Sequence, residues 1–520
     1  MIGRIIRKGT GKYWALIRKH LLAFILVCSA ILLHGQVIRG TISDMDIGRP
    51  ISDVFISIDD GILNVQSDQE GRFVLDGLAP GRYILRFQHI EFHPVLLEVL
   101  LTSAKESVMD VELEIRSVAL PEITVPGSRF TEVNSLSQIT AEETQRYPGT
   151  FFDPARFAST FPGVEIVNDQ ANQLIINGMS PDLMQWHLEG LEILNPNHLA
   201  NAGTLSDRPT ATGGGVSMLS NQVLSNSSLL TGAAMELGNA TSGMMDMYFR
   251  NGNTEQREHT VQIGFLGVEG ATEGPFKNGG RSSYIVNGRY STIGLLSLMG
   301  VDFGDEQIHF GDISINTHFY LGDRGAKLKV FGFFGSNSNK FEAKEMDEWE
   351  EDKDQYDIDY SSKTGVFGAV YTQPVTTNGL LSVKSVLSKT QYDRHQMAPD
   401  SLVGFSNEEG EMNKWSSEIR YSTILGKKSR ISGSVLFIQD YIGLVRNGQD
   451  GSYFADGINT LFRPKVDIKT SISNSVSVKL GLAFAHYDFL DEWNFEPEGE
   501  LNWQIQGDKS LTLRYRLSSQ

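Results

Sequence analysis

The chain has 520 residues, with 63 Asp or Glu against 45 Lys or Arg, a formal net charge of -18 and 52 glycines. That length predicts about three domains, and the acidic balance excludes the basic footprint that general nucleic-acid binding requires. Glycine above the usual ~7% favours turns and strands over helix bundles.

The first 36 residues read as a secretory signal peptide. Arg4, Arg7, Lys8, Lys12, Arg18 and Lys19 form a positive n-region, and Leu21 to Leu33 form an apolar h-region that is short for a membrane span. Cleavage is expected after Gln36. Cys28, the one cysteine, lies inside the h-region behind Val27, so the mature chain is expected to have no thiol. Disulfide, Cys-zinc and thiol-catalysis readings then fall away. No later apolar run approaches ~18 residues, so no further membrane helix is expected; a spanning β-barrel, in which only alternate residues face lipid, escapes that test.

From Val37 to about Leu113 short runs alternate apolar and polar residues, among them "VFISI", "RFVLDGL" and "RYILRF". Several short strands at regular spacing predict a β-sandwich. The pieces "GTIS", "DQEGRF" and "LAPGRYILRF" resemble the carboxypeptidase-regulatory-like domain, which implies a non-catalytic seven-stranded sandwich over 37–116. His89, Glu91 and His93 alternate, as they would on one face of a strand. Polar residues on an exposed face explain them more simply than a metal site, and no metal site is expected.

Residues 117–133 read as an extended linker, with Pro121 and Pro126 excluding a helix or a central strand. Within it Leu120, Pro121, Glu122, Ile123, Thr124 and Val125 resemble the TonB box of TonB-dependent receptors. That resemblance implies a peptide that adds a strand to the sheet edge of a TonB-type periplasmic energy transducer; otherwise the segment only connects.

Residues 134–255 are dense in Gly, Asn and Ser, predicting a compact α+β domain with tight turns. Thr140 and Glu143 form a capping-box pattern. Asp153-Pro154 opens a second short helix. Strands follow, with a turn at Glu189-Gly190 and a polar loop containing Asn195, Asn197 and His198. That loop is an ordinary Asn/Pro turn or a ligand-chamber contact, and turn chemistry favours the former. Gly213 to Gly215 lack the Lys-Ser/Thr of a phosphate loop. The order of elements resembles the plug domain of TonB-dependent receptors, and "TGAAMELGNATSGMMDMYFRNGN" resembles that family's stretch before the barrel.

From 256 onward period-2 runs dominate, such as "KLKVFGFFGS" and "SVSVKLGLAFAHYDF". About twelve strands are expected, many long enough to cross a bilayer, with short turns on one side and longer connections on the other. Tyr284, Tyr290, Phe319, Tyr320, Tyr392 and Tyr487 would suit interfacial girdles. Ten acidic residues between Glu342 and Asp359 read as a solvated loop, with cation binding as the other reading. "GFLGVEGATEGPFKNGGRSSYIVNGRYSTIGLL" resembles the first barrel hairpin of the same receptors. Such plugged barrels have about 22 strands, so the expectation is a mainly β chain carrying a partial antiparallel barrel, truncated at its C-terminus and unable to insert stably alone. The resemblance implies a non-enzymatic outer-membrane importer without a cofactor. Its expected partners are the energy transducer, outer-membrane lipid and a small extracellular ligand: a siderophore, cobalamin, peptide or glycan. A secreted or surface-attached β-rich adhesin or carbohydrate-binding protein is the alternative.

Overall fold

The computed structural model describes residues 36–517 except 46, 59–62, 102–105, 115–135, 151, 169–170, 199–212, 232–239, 265–266, 292–305, 323, 351, 399–404, 427–428, 450, 474 and 507–508. The expected leader and the 120–125 segment lie outside the described residues.

The N-terminal unit is the expected sandwich. Its strands are β1 (Gln36–Asp44), β2 (Phe55–Ile58), β3 (Leu63–Gln66), β4 (Arg72–Leu78), β5 (Gly81–His89), β6 (Phe92–Leu101) and β7 (Ser107–Leu113). They form two sheets, in the orders β4-β1-β7 and β3-β2-β5-β6. Alternation aims Ile38, Ile42, Ile56, Phe73, Leu85, Phe87 and Val111 into one core between the sheets, which is the packing that a period of two produces. The His89, Glu91, His93 expectation is corrected. These residues do not share a strand, because the β5–β6 hairpin turns between His89 and Phe92, and the Glu91 N–H donates to His89 Nδ1 at 3.1 Å.

The second unit contains β8 (Leu136–Thr140), helices α1 (Ala141–Arg146) and α2 (Pro154–Ala158), and strands β9 (Val164–Asn168), β10 (Ala171–Ile176), β11 (Met184–Leu188), β12 (Leu191–Ile193), β13 (Asn197–His198), β14 (Val216–Ser217), β15 (Leu224–Thr231) and β16 (Gly243–Phe249). The capping box is formed by Thr140 and Glu143, and Asp153 caps α2 through the Ala155 N–H. The central sheet runs β12-β11-β16-β15-β8, with β11 parallel to β16. Its core is continuous with the inner face of the third unit: Trp186, Leu188, Met245 and Phe249 share one cluster with Ile285, Phe331, Phe333 and Val366.

The third unit is one antiparallel sheet of thirteen strands in sequence order. They are β17 (Glu258–Ile263), β18 (Val268–Pro275), β19 (Ser283–Tyr290), β20 (Glu306–Leu321), β21 (Ala326–Phe341), β22 (Asp357–Thr376), β23 (Gly379–Met397), β24 (Ser406–Leu425), β25 (Ser429–Gly448), β26 (Gly451–Ser471), β27 (Val476–Tyr487), β28 (Glu492–Gln506) and β29 (Lys509–Arg516). It curves around the second unit as a partial barrel. The strand missing from the expected twelve is β18. Its inward residues include Glu269 and Glu273, both buried, so it lacks the apolar alternation that marks its neighbours. The expected turn asymmetry holds only in part. The connections at 342–356 and 398–405 are long, but β25 and β26 meet across 449–450 alone.

The wall is inside-out relative to a soluble sheet. Inward side chains are polar and paired, as in Arg463–Glu496 at 2.7 Å and Arg514–Glu500 at 2.7 Å. Outward ones on the half nearest the short turns are apolar and exposed, including Ile313, Phe367, Leu387, Ile419, Leu480 and Leu513. Further along β23 and β24 the outward face becomes polar. On β23 it passes from Leu387 to Lys389, Gln391 and Asp393; on β24, from Trp415 to Asn413, Glu411 and Glu409. Glu411 there accepts from both Lys389 and Gln391 at 2.7 Å. An apolar band of about nine residues per strand is what a tilted strand presents to ~25 Å of hydrocarbon. The girdle expectation is corrected in part. Tyr284, Tyr290 and Phe319 face outward, whereas Tyr320, Tyr392 and Tyr487 share faces with inward neighbours. Tyr392 donates to Glu408, and Tyr487 lies in a buried cluster with Ile438 and Leu461.

Candidate functional site

Three contacts seat the plug sheet against the wall. The first is the β11–β12 hairpin. Two residues, Glu189 and Gly190, join Leu188 to Leu191, and both have positive φ, 56° and 79°, which a type I′ turn demands. Glu189 adopts it because its groups are bound on every side. Its N–H donates to Met247 O at 2.9 Å. Its Oε1 accepts from the Phe249 N–H at 2.9 Å and from Lys329 Nζ at 2.6 Å, and its carbonyl accepts from Lys384 Nζ at 2.8 Å. The Gly190 N–H donates to Asp246 Oδ1 at 3.1 Å, and the Tyr248 hydroxyl donates to Asp246 Oδ2 at 2.6 Å. Burial pushes the Asp246 carboxyl above its usual range, against those bonds. Burial likewise pulls His187 down to about 4, although Asp246 opposes it. Beyond the turn, Glu192 pairs with Lys414, and its carbonyl accepts from Ser416 Oγ at 2.7 Å.

The second contact is the Asn195–His198 loop. Asn195 Oδ1 accepts from the Asn197 N–H at 3.1 Å, an Asx turn. His198 is fully buried. Its Nε2 lies 3.0 Å from Asp312 Oδ2, and its Nδ1 lies 3.3 Å from Asn337 Nδ2. Arg289 Nη2 bonds the same Asp312 oxygen at 2.7 Å. Burial lowers the His198 pKa, with Asp312 opposing. The loop therefore touches the wall. A Cβ at Gly335 would lie 2.6 Å from Met218 Sδ and 2.7 Å from His198 Cε1, so only glycine lets the wall approach this closely.

The third contact lies where the chain leaves the plug sheet for the wall. Arg250 makes a two-pronged pair with Glu273, at 2.6 and 2.7 Å, and donates to Gln222 O at 2.6 Å. Asn316 Nδ2 donates to Arg250 O at 2.8 Å. Nearby, Ser220 and Asn287 both bond Glu269.

Of the residues singled out from sequence, Glu189 and Gly190 sit together in the first contact and Asn195, Asn197 and His198 in the second. Leu120 to Val125 lie outside the described residues. Sequence reasoning missed Arg250, Glu273, Lys329, Lys384 and Lys414. A signal was present: Lys327 and Lys329 alternate within "KLKV", and Glu269 and Glu273 stand four apart, so each pair shares a strand face. The acidic stretch folds back on itself. Trp349 Nε1 donates to Lys344 O at 3.0 Å, and Lys344 Nζ lies 3.1 Å from the buried Asp354 carboxylate.

Residues 37–114 match the model of the carboxypeptidase regulatory-like domain. Over 250 residues the chain is 25% identical to the TonB-dependent transporter Oar of Myxococcus xanthus, covering 45% of this chain and 22% of that protein. A variant of the ferric enterobactin receptor of Pseudomonas aeruginosa superposes with a TM-score of 0.53 at 14% identity, covering 74% of this chain and 62% of that one. The siderophore receptor PirA of Acinetobacter baumannii gives 0.51 at 14%, covering 73% and 60%. The chain thus spans under a quarter of the transporter's length and about three-fifths of the receptors' length.

Proposed function

We propose, for a chain that has the fold of the TonB-dependent outer-membrane receptors behind an N-terminal carboxypeptidase regulatory-like domain, that it acts as an outer-membrane receptor admitting a small extracellular solute. The observation that carries the reading is the plug sheet seated on a wall that is polar inside and apolar outside. Such a wall belongs in lipid, and a folded plug inside it has a gate's position. The short-turn end faces the periplasm, and the polar strand halves face outward. The segment 120–125 is the peptide that a TonB-type transducer would pair with, adding a strand. A pull there reaches the plug first through β8, the edge strand of its sheet. Lys329, Lys384, Lys414 and Glu273 are the holds on the wall that must loosen for the plug to move.

The test has two parts. Expressed from its own gene, the protein that carries this chain should fractionate as carbonate-resistant outer-membrane protein, whereas the 520-residue chain alone is expected not to insert stably; a soluble periplasmic or extracellular product would favour the adhesin reading. Growth under iron limitation with single candidate solutes, comparing the parent with a deletion of 120–125, should show uptake that depends on that segment. Equal uptake by both chains would remove the transducer from the scheme.

A further inference from the structure

The sandwich is joined to the mouth of the wall at several points, and the joints are mostly ionic. Asp44, at the end of β1, accepts from Arg430 at the short-turn end of β25, with Nη1 at 3.1 Å and Nη2 at 2.8 Å. Both side chains are at least nine-tenths buried. Glu114, just after β7, pairs with Lys469 at the same end of β26. On the other flank Glu106 accepts from Asn253 Nδ2 at 2.8 Å, and its N–H donates to Glu258 Oε1 at 2.9 Å. Across the plug, Glu98 pairs with Arg146 and Arg82 pairs with Glu142 on α1. The seat is complementary in sign: the sandwich brings chiefly carboxylates, and the wall and plug bring Arg146, Arg430 and Lys469.

Glu112 shows what the seat encloses. It is exposed; burial raises its carboxyl pKa, and the charges of Lys384, Lys327 and Lys329 oppose that from the wall. Glu112 therefore lies on the sandwich face turned toward Lys384 and Lys329, which hold the plug hairpin. We propose that the carboxypeptidase regulatory-like sandwich is a charge-held cap over the periplasmic mouth, and that it must leave this seat before solute can pass out of the lumen. The orientation rests on the receptor reading above. The linker that would be pulled lies between cap and plug, so tension on it loads both. The ionic seat gives way by solvation, because charges freed into water recover their hydration.

Zero-length carbodiimide coupling in outer-membrane vesicles, on the protein that carries this chain, tests the seat. The Glu114–Lys469 product should form at low salt. It should fall about tenfold at 1 M salt, where attraction between partly exposed charges such as these reaches only ~3 Å, and likewise in Asp44→Arg. The double change Asp44→Arg/Arg430→Asp should restore it. The Lys389–Glu411 product is the control, because strand register holds that pair together at any salt. A second measurement reads closure: a Glu112→Cys reporter should react with a bulky polyethylene-glycol maleimide about tenfold faster when Asp44→Arg is added. The cap is overturned if the control forms but Glu114–Lys469 does not, or if neither salt nor Asp44→Arg changes coupling and labelling. Loss of both products would overturn the wall itself, and the receptor reading with it.

Discussion

Replacing Arg250 by Met keeps the aliphatic stem and removes the guanidinium from Glu273, whose side chain is only 4% exposed. Glu273 keeps the Asn253 N–H at 3.0 Å but loses its counter-charge. Removing one member of a buried pair costs ~3–5 kcal/mol, and the lost bond to Gln222 O adds ~1 kcal/mol. The double change Arg250→Met/Glu273→Met leaves no uncompensated carboxylate and should end within ~1–2 kcal/mol of the parent. The assay is amide hydrogen exchange in membrane vesicles, followed at β15 and β16, the central strands of the plug sheet that lead into Arg250. Because ~1.4 kcal/mol is a tenfold change, the single variant should exchange about three to four orders of magnitude faster, and the double variant roughly tenfold faster. Equal exchange in the single and double variants would refute the argument, since it would mean that the uncompensated charge has no special cost.

Three further outcomes follow from the same geometry. The folded value of about 4 for His187 lies below the ~6.5 of an unfolded histidine, so the unfolded plug takes up the proton first. Plug protection should be full above pH ~6.5, fall by up to ~3 kcal/mol as the pH drops, and level off near pH 4; His187→Gln should flatten that slope, and an unchanged slope would contradict it. Gly335→Ala should push His198 and Met218 off the wall and cost ~1–3 kcal/mol of plug protection by the same exchange measurement. Phe367→Arg, inside the outward apolar band, should cost ~2–4 kcal/mol in membrane folding titrations, whereas Gln391→Arg, beyond the band, should cost no more than ~0.5 kcal/mol. Equal costs would misplace the lipid boundary.

Alternation made most of the wall legible in the sequence, because a wet lumen and a greasy exterior impose a period of two on every strand. It failed at β18, where both faces carry polar or small residues and the inward ones serve the plug. The capping box of α1 and the Glu189-Gly190 turn were legible because their chemistry is local. The seat of the plug was not. His198 meets Asp312 and Asn337 across more than a hundred residues, and a polar loop in sequence looks the same whether it ends in water or against a wall. The inward aromatics misled for a related reason: Tyr392 and Tyr487 sit near strand ends as girdle residues do, and only the face distinguishes them.

Strands β24, β25 and β26 run for 20, 20 and 21 residues. At ~3.3 Å per residue and a tilt near 45°, each rises roughly 47 Å, of which the hydrocarbon takes ~25 Å. Roughly 20 Å of hydrogen-bonded wall therefore stands clear of the acyl chains as a stiff collar. Trimming the connections at 342–356 or 398–405 would leave that collar at full height. A large visitor, such as an antibody or a toxin domain, could grip its polar flank at Lys389, Glu409 and Glu411 without touching lipid or entering the lumen.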